Sequence, residues 1–290
     1  MANSLREVKT RIQATKGTEQ ITNAMYMVSQ AKIRKAEQTY REYKDFMSRI
    51  GDLVKSVVSK AEVDNPNPMM VEREVKKTAY IIVTSDRGLA GAYNSNLQKE
   101  LEKTILENHK SDSEFVVGAI GKKGLSFIHK KGYPVLVDKA THVRDDVMFI
   151  DIVPLADAFI KEYNEGKIDK LVIIYNHYIN TLTQEVTKKT LLPINEIEGE
   201  VKEIDYEFET GVEETINTIL PMYIEDSVYG IILDAKVSEH ASRMNSMRSA
   251  TDNAKSVIEQ LQLMYNRARQ EVITNELTDI IGGANAIGGN

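Results

Sequence analysis

Cysteine is absent from the 290 residues. Disulfides, thiolate catalysis and cysteine-based metal sites are therefore excluded, and a reducing compartment is compatible with the chain without being required by it. No run approaches the roughly 18 apolar residues that would cross a bilayer. Any work at a membrane is then expected to go through other proteins, with no direct membrane insertion. The opening MANSLREVKTRIQ is charged and has no apolar stretch, so a secretory signal is not expected. A basic excess is missing too: the formal net charge is -6 and the pI about 5.6. A nucleic-acid partner is accordingly not expected. Charge is nonetheless uneven. Lys32, Arg34 and Lys35 are nearly contiguous, whereas residues 196–214 carry an acidic excess, a contrast that points to different partners for different parts.

Catalytic signatures are equally scarce. The five histidines, His109, His129, His142, His177 and His240, form no H-x-x-x-H or H-E-x-x-H pair and are expected at the surface or at helix ends. No G-x-S-x-G elbow occurs. Asp145, Asp146 and the 196–214 run are expected to be solvated faces. Two glycine-bearing segments follow apolar runs: TSDRGLAGAYNSN at 84–96 and GAIGKKG at 118–124. Either could bring backbone N–H groups to a phosphate. Neither fits G-x-G-x-x-G or G-x-x-x-x-G-K-[ST], so tight strand-to-helix turns are the favoured reading, with Asp86 or Arg87 pinning the first. No catalytic residue, cofactor or metal ligand emerges.

What is present is periodicity of two kinds. From about residue 5 to 58, Ala36, Tyr40, Tyr43, Met47, Ile50, Val54 and Val57 step by four and three, the seam of a coiled coil. Ile21, Met25 and Val28 read as an earlier seam out of phase with it, and Gly17 as a weak point. VDNPNP, with Pro66 and Pro68, ends the helix. Between about 74 and 193 the pattern changes. Strand-like runs at 79–83, 115–120, 134–137 and 170–175 alternate with helical stretches at 94–109, 122–131 and 147–165, which predicts a largely parallel sheet under helices. Residues 181–191 read as one more strand, antiparallel. From about 210 to 281 a helical seam returns at Met247, Ala250, Ala254, Val257, Leu261, Met264 and Ala268; Pro221 and Gly230 are its only breakers, and a kink or restart is expected near Pro221. GGANAIGGN closes it.

The terminal helices would be roughly 75 and 105 Å long at 1.5 Å per residue, and isolated helices gain little from propensity alone. They need one another. The expected fold is α/β plus a long antiparallel coiled coil: N- and C-terminal helices paired, a Rossmann-like α/β domain inserted between them. Its expected parts are 1–60, 74–195 and 210–286. Methionine and alanine on both helices suit close approach and a surface that repacks. Periodicity alone permits an interaction scaffold carrying an α/β binding module just as readily, and a nucleotide-dependent enzyme on the central domain less readily.

QITNAMYMVSQAKIRKAE at 20–37 resembles the N-terminal helix signature of F-type ATP synthase gamma subunits. TSDRGLAGAYNSN resembles that family's T-S-D-R-G-L-C-G-x-x-N segment, with Ala90 in place of the usual cysteine. SEHASRMNSMRSATDNA at 238–254 and LQLMYNRARQEVITNELTDIIGGANA at 261–286 are similar to its C-terminal helix. The resemblance implies a non-catalytic rotor shaft inside a ring of alpha and beta subunits, based on an epsilon subunit and a c-ring, peripheral to the cytoplasmic face of a bacterial cell membrane. It implies contacts with the alpha/beta ring at Met25, Lys32, Arg34, Arg243, Arg269, Gln270 and Thr274, and with the c-ring and epsilon foot at Tyr206, Phe208 and Glu209. The apolar, small-residue end at 280–287 would serve as a bearing. Thiol regulation is not expected.

Overall fold

The structure is a computed structural model, which describes residues 2–60, 67–138, 141–142, 144–202, 208 and 211–288, the side chains of 2–4 and 285–288 excepted. Two compact units emerge, one of residues 30–243 and one of residues 1–29 with 244–290. Two long helices run through both: α1, Ala2–Val58, and α5, Val212–Gly288. Pro66, Tyr206 and Glu209 lie outside the described residues, as does the side chain of Ile287.

In the larger unit a four-stranded sheet is built from β1 (Thr78–Val83), β2 (Phe115–Ile120), β3 (Lys170–Tyr178) and β4 (Gln184–Leu192), in the order β2-β1-β3-β4. The β1 strand is parallel to both neighbours, and β3 pairs with β4 in the antiparallel sense. Every residue of β1 and β2 is buried, as expected of parallel strands covered on both faces. Ala79, Ile81 and Val83 face a core with α4 (Val153–Asn164), α1 and α5, while Tyr80 and Ile82 face α2 (Tyr93–Asn108) and α3 (Lys122–Lys131).

The expected strand at 134–137 does not form. Pro134 lacks an N–H, and Val135 makes only an isolated parallel bridge to Val117. No break occurs at Pro221 or Gly230 either; α5 continues through both. Proline in a helix interior costs about 3 kcal/mol. Burial of Leu220, Ile224 and Val228 around it returns about 1.5–3 kcal/mol for each side chain, so tertiary packing outweighs the local penalty.

Along α1 in this unit, Ile33, Ala36, Tyr40, Tyr43, Met47, Ile50, Val54 and Val57 are buried or half-buried, as the heptad count requires. Tyr43 packs edge-on against Tyr229 at 4.8 Å between ring centroids, and its hydroxyl donates to Asp226 Oδ1 at 2.7 Å. Partner numbers fall on α5 as they rise on α1, so the two segments are antiparallel.

In the smaller unit the seam differs from the expected one. Ile21 and Val28 are exposed and the expected Met25 is half-buried, and a covered series runs through Leu5, Val8, Ile12, Thr15, Glu19, Thr22, Tyr26 and Ser29. These positions also step by three and four, and they lead into Ile33 without a phase jump. On α5 the expected Met247, Ala250, Ala254, Leu261 and Ala268 are covered, but Val257 and Met264 are exposed, and Thr251, Ile258, Tyr265, Val272 and Asn275 are covered as well. The Thr22 and Thr251 hydroxyls meet at 2.8 Å. Gly17 interrupts nothing.

Gly118 in β2 marks the tightest packing in the sheet. A methyl group there would lie 2.5 Å from Phe159 Cζ, and Phe159 is itself fully buried. Gly118→Ala should destabilise the chain by about 1–3 kcal/mol, read as a lower urea midpoint with an unchanged m-value.

Candidate functional site

From Ile231 to Ala241 every residue of α5 is buried, and the stretch includes Asp234, Lys236, Ser238, Glu239 and His240. A helix segment covered on all sides normally excludes charge, because burying an unpaired ion is costly. Here the charges are paired. Glu239 accepts Lys236 Nζ at 3.0 Å and Arg243 Nη2 at 2.7 Å, an i–3 and an i+4 partner on its own helix. Asp145, on the segment before α4, takes Lys32 Nζ of α1 at 2.6 Å on one oxygen. Its other oxygen faces Lys236 Nζ at 3.5 Å and His240 Nε2 at 3.3 Å. One helical turn earlier, Asp234 meets His177 Nδ1 at 2.6 Å and accepts the Tyr178 N–H at 2.9 Å. Glu37 of α1 accepts the Tyr178 hydroxyl.

Electrostatics follow the geometry. Burial works against the Asp145 charge, but the Lys32 hydrogen bond and the nearby Lys236 and His240 hold its carboxyl down at about 2. Glu239 is likewise opposed by burial, yet Lys236 and Arg243 keep it below the usual range and ionised. For Asp234 the balance reverses: burial raises it despite His177 and Tyr178. Burial pushes the His240 imidazole down to about 4, so it is neutral near pH 7. With Nε2 toward Asp145, that ring leaves Nδ1 buried without a hydrogen-bond partner.

The 84–96 segment packs on the same stretch of α5. Ser242 Oγ donates to Ala90 O at 2.8 Å, Arg243 Nη2 reaches Gly88 O at 3.5 Å, and Tyr93 OH donates to Ala235 O at 3.1 Å. Its turn is closed internally, with Ser85 N–H on Asn94 Oδ1 and Asn94 Nδ2 on Ser85 Oγ. The α3 N-terminus, the candidate phosphate site of the 118–124 segment, is filled by the chain itself. Lys122 N–H donates to Asp86, Lys123 N–H to the Ser85 carbonyl and Gly124 N–H to Thr84 Oγ1. At Gly121, where φ is +88°, a methyl group would lie 2.2 Å from Thr84 O. These glycines therefore serve close packing rather than anion binding. Leu89 stands out from the loop, 64% exposed with a left-handed φ of 63°, a conformation that costs about 1 kcal/mol or more for a side chain of its size.

Among the residues implied as contacts, Lys32 and Arg243 enter this ionic cluster. Arg34, two residues on from Lys32, is exposed, and Met25 is half-buried in the smaller unit. Arg269, Gln270 and Thr274 are exposed, Thr274 bonding back to the Gln270 carbonyl at 2.9 Å. Phe208 is half-buried against the larger unit's core. Two expectations are corrected. His240 is buried rather than superficial, whereas His109 closes the C-terminus of α2 as expected of a capping histidine, and the half-buried His177 is tied to Asp234. Asp145 is an ion-pair hub rather than a merely solvated residue, and Glu198 of the acidic run is paired with Lys189 at 2.6 Å. Sequence reasoning missed Lys236, Glu239 and His240. The available signal was charge at i, i+3 and i+4 on a stretch otherwise too apolar to be exposed. Among the described residues no group of three ligating side chains could hold a metal ion.

The family model described as ATP synthase matches residues 4–287. Solved structures with a similar chain include the central stalk and c-ring of the Tetrahymena thermophila mitochondrial ATP synthase. That match has 26% identity and a TM-score of 0.60 and covers 79% of this chain and 99% of that one. Two Euglena gracilis mitochondrial ATP synthase structures share the fold. One, of OSCP, F1 and the c-ring, has 18% identity, a TM-score of 0.66 and coverage of 100% and 96%. The other, of the rotor, has 17% identity, a TM-score of 0.68 and coverage of 94% and 100%.

The buried His240 gives the fold an acid sensitivity of known sign. Its pKa is lowered from 6.5 to about 4, so between those values the unfolded chain binds more protons than the folded one, and stability falls as pH falls. The full shift corresponds to roughly 3 kcal/mol. His240→Gln should flatten the pH 6.5-to-4 slope of the melting temperature, while the Asp145 contribution, reduced but still held by Lys32 and Lys236, is lost only below about pH 4.

Proposed function

We propose a working cycle for this chain, which belongs to the gamma-subunit family of the ATP synthases and is the central rotor shaft of such a machine. The chain is a non-catalytic part of the enzyme; the ATP chemistry belongs to other subunits. In the proposed cycle, proton flow turns a c-ring, the c-ring turns the α/β base, and the paired helices carry the rotation into a ring of alpha and beta subunits. Each beta subunit meets a different face of the shaft, so shaft angle biases its conformation by differential contact.

The observation that carries this reading is the family match from residue 4 to 287, spanning both paired ends and the sheet between them. Surface chemistry supports it. In the smaller unit Ile21, Met27, Val28, Val257, Leu263, Met264, Leu277, Ile280 and Ile281 are exposed, far more apolar surface than scattered residues would give. A surrounding ring of subunits would cover it, with Met25, Arg269, Gln270 and Thr274 as contacts. Lys32, Arg34 and Arg243 would be further contacts with that ring, and Tyr206, Phe208 and Glu209 contacts with the c-ring and epsilon foot. No helix among the described residues is long and apolar enough to cross a membrane. The proposed location is peripheral, on the cytoplasmic face of a bacterial cell membrane.

Mixing the chain with purified alpha and beta subunits tests the reading directly. Stoichiometric assembly with restored ATPase activity is the expected result; a chain that stays apart from the ring defeats it. Two variants test the mechanism. Proline at the buried Ala254 should cost about 3 kcal/mol or more of local helix stability, with no compensating core of the kind around Pro221, and should leave ATP hydrolysis running without proton pumping. Removing the Arg34 and Lys35 charges together should lower the protons pumped per ATP while leaving the melting temperature unchanged. Normal coupling in that variant would reduce the basic cluster to a solvated face.

A further inference from the structure

We propose that Asp145 is a positioning residue for coupling: its carboxylate ties the sheet-bearing part of the larger unit to both long helices at once. This rests on the rotor-shaft reading for its consequence but not for its geometry. The segment 144–148 carries no regular secondary structure until it reaches the turn before α4, yet it delivers one carboxylate to Lys32 of α1 and to Lys236 and His240 of α5. The chain of charges then continues from Lys236 to Glu239, from Glu239 to Arg243, and from Arg243 to the Gly88 carbonyl. A single path of ionic contacts therefore joins α1, the 144–148 segment, α5 and the 84–96 loop.

The position of this path explains why charge is used there. Apolar contact is non-directional and lets two helices slide or turn against each other. Lower in the unit, Tyr40, Tyr43 and Met47 provide large interlocking groups, but at the level of the cluster the α1 seam is Ile33 and Ala36. Two aliphatic side chains, one of them a single methyl, fill space there without the interlocking that the larger aromatic groups provide. Ion pairs with hydrogen-bond geometry fix both distance and angle; Lys236 and His240 are buried where they face Asp145, while Asp145 and Lys32 are half-exposed, so the contact contributes orientation rather than much net stability. Asp145 is the member without which the path from α1 to α5 is cut, since Lys32 has no other acidic contact within salt-bridge range among the described residues.

The test exploits the absence of cysteine. Gln38→Cys on α1 and Met148→Cys, both exposed, give two unique spin-label sites in the full chain. With Asp145 the label-to-label distance distribution should be narrow; Asp145→Asn should widen it, and Asp145→Glu should narrow it again. An unchanged width in Asp145→Asn overturns the proposal, whether or not the chain assembles with any ring. In the assembled complex in sealed vesicles, Asp145→Asn should hydrolyse ATP at close to the normal rate while protons pumped per ATP fall several-fold, with recovery in Asp145→Glu. Hydrolysis, pumping and assembly falling in proportion would mean a folding role only and would also overturn it. If the unaltered chain fails to assemble while the distance distributions behave as stated, the rotor reading is what has failed.

Discussion

A long helix has almost no interior, and everything else in this chain answers to that constraint. Residues on its far side contribute nothing to a shared core, and propensity alone holds such a helix only marginally in water. α1 and α5 meet the constraint with a stripe that repeats every three and four residues, from Leu5 to Val57 on α1 and from Met247 to Asn275 on α5. The stripe is not uniformly apolar. Thr15, Glu19, Thr22 and Ser29 on α1, and Thr251 and Asn275 on α5, sit among the aliphatic positions. Polar seam residues weaken a coiled coil but fix its register, as the Thr22–Thr251 hydroxyl contact at 2.8 Å does here. For a part that must keep one angular setting, register matters more than the last increment of stability.

That polar content also explains which parts of the fold could be read from the amino acids. Between Ala36 and Val57 the seam is apolar or aromatic, so counting threes and fours finds it. Further toward the N-terminus the seam passes through Thr22, Tyr26 and Ser29, and the eye follows Ile21 and Val28, which lie beside it and are exposed. The same displacement occurs at Val257 and Met264, next to the covered Ile258 and Tyr265. In both places a hydrophobic residue faces outward, which a periodicity argument treats as core and a partner surface does not. The strands β1, β2 and β3 were legible because buried parallel strands are continuous apolar runs. Residues 134–137 were misleading because a short apolar stretch does not disclose that Pro134 cannot donate.

The ionic cluster was less accessible for a different reason. Lys32 and Arg243 belong to recognisable motifs, but Asp145 is more than ninety residues from two of its partners, Lys236 and His240, and more than a hundred from the third, Lys32, and nothing local marks it as more than a turn residue. Glu239 and His240 fall in a segment whose burial on every side comes from three separate directions: α1, the 84–96 loop and the end of β3. Sequence spacing supplies the helix face on which Lys236, Glu239 and Arg243 meet. It cannot supply the closure of that face, and closure is what turns ordinary helix ion pairs into desolvated ones.

Burial and charge at the cluster divide the work between them. The apolar contacts of Leu220, Ile224, Val228 and Ile232 hold α5 against the sheet with enough energy to carry Pro221 within a continuous helix. Such contacts specify nearness and leave rotation about the helix axis soft. At the next level up, Asp234, Lys236, Glu239, His240 and Arg243 project from α5 in different directions, and each finds a counterpart on a different element or on its neighbour. Turning α5 against its surroundings would leave the Lys236–Glu239–Arg243 pairs intact within the helix but would take Lys236 and His240 off Asp145 and the buried Asp234 off His177 and the Tyr178 N–H, and a buried carboxylate left without partners costs several kcal/mol. The stiffness a rotating part needs therefore resides less in how tightly this stretch is packed than in how few orientations leave its charges paired.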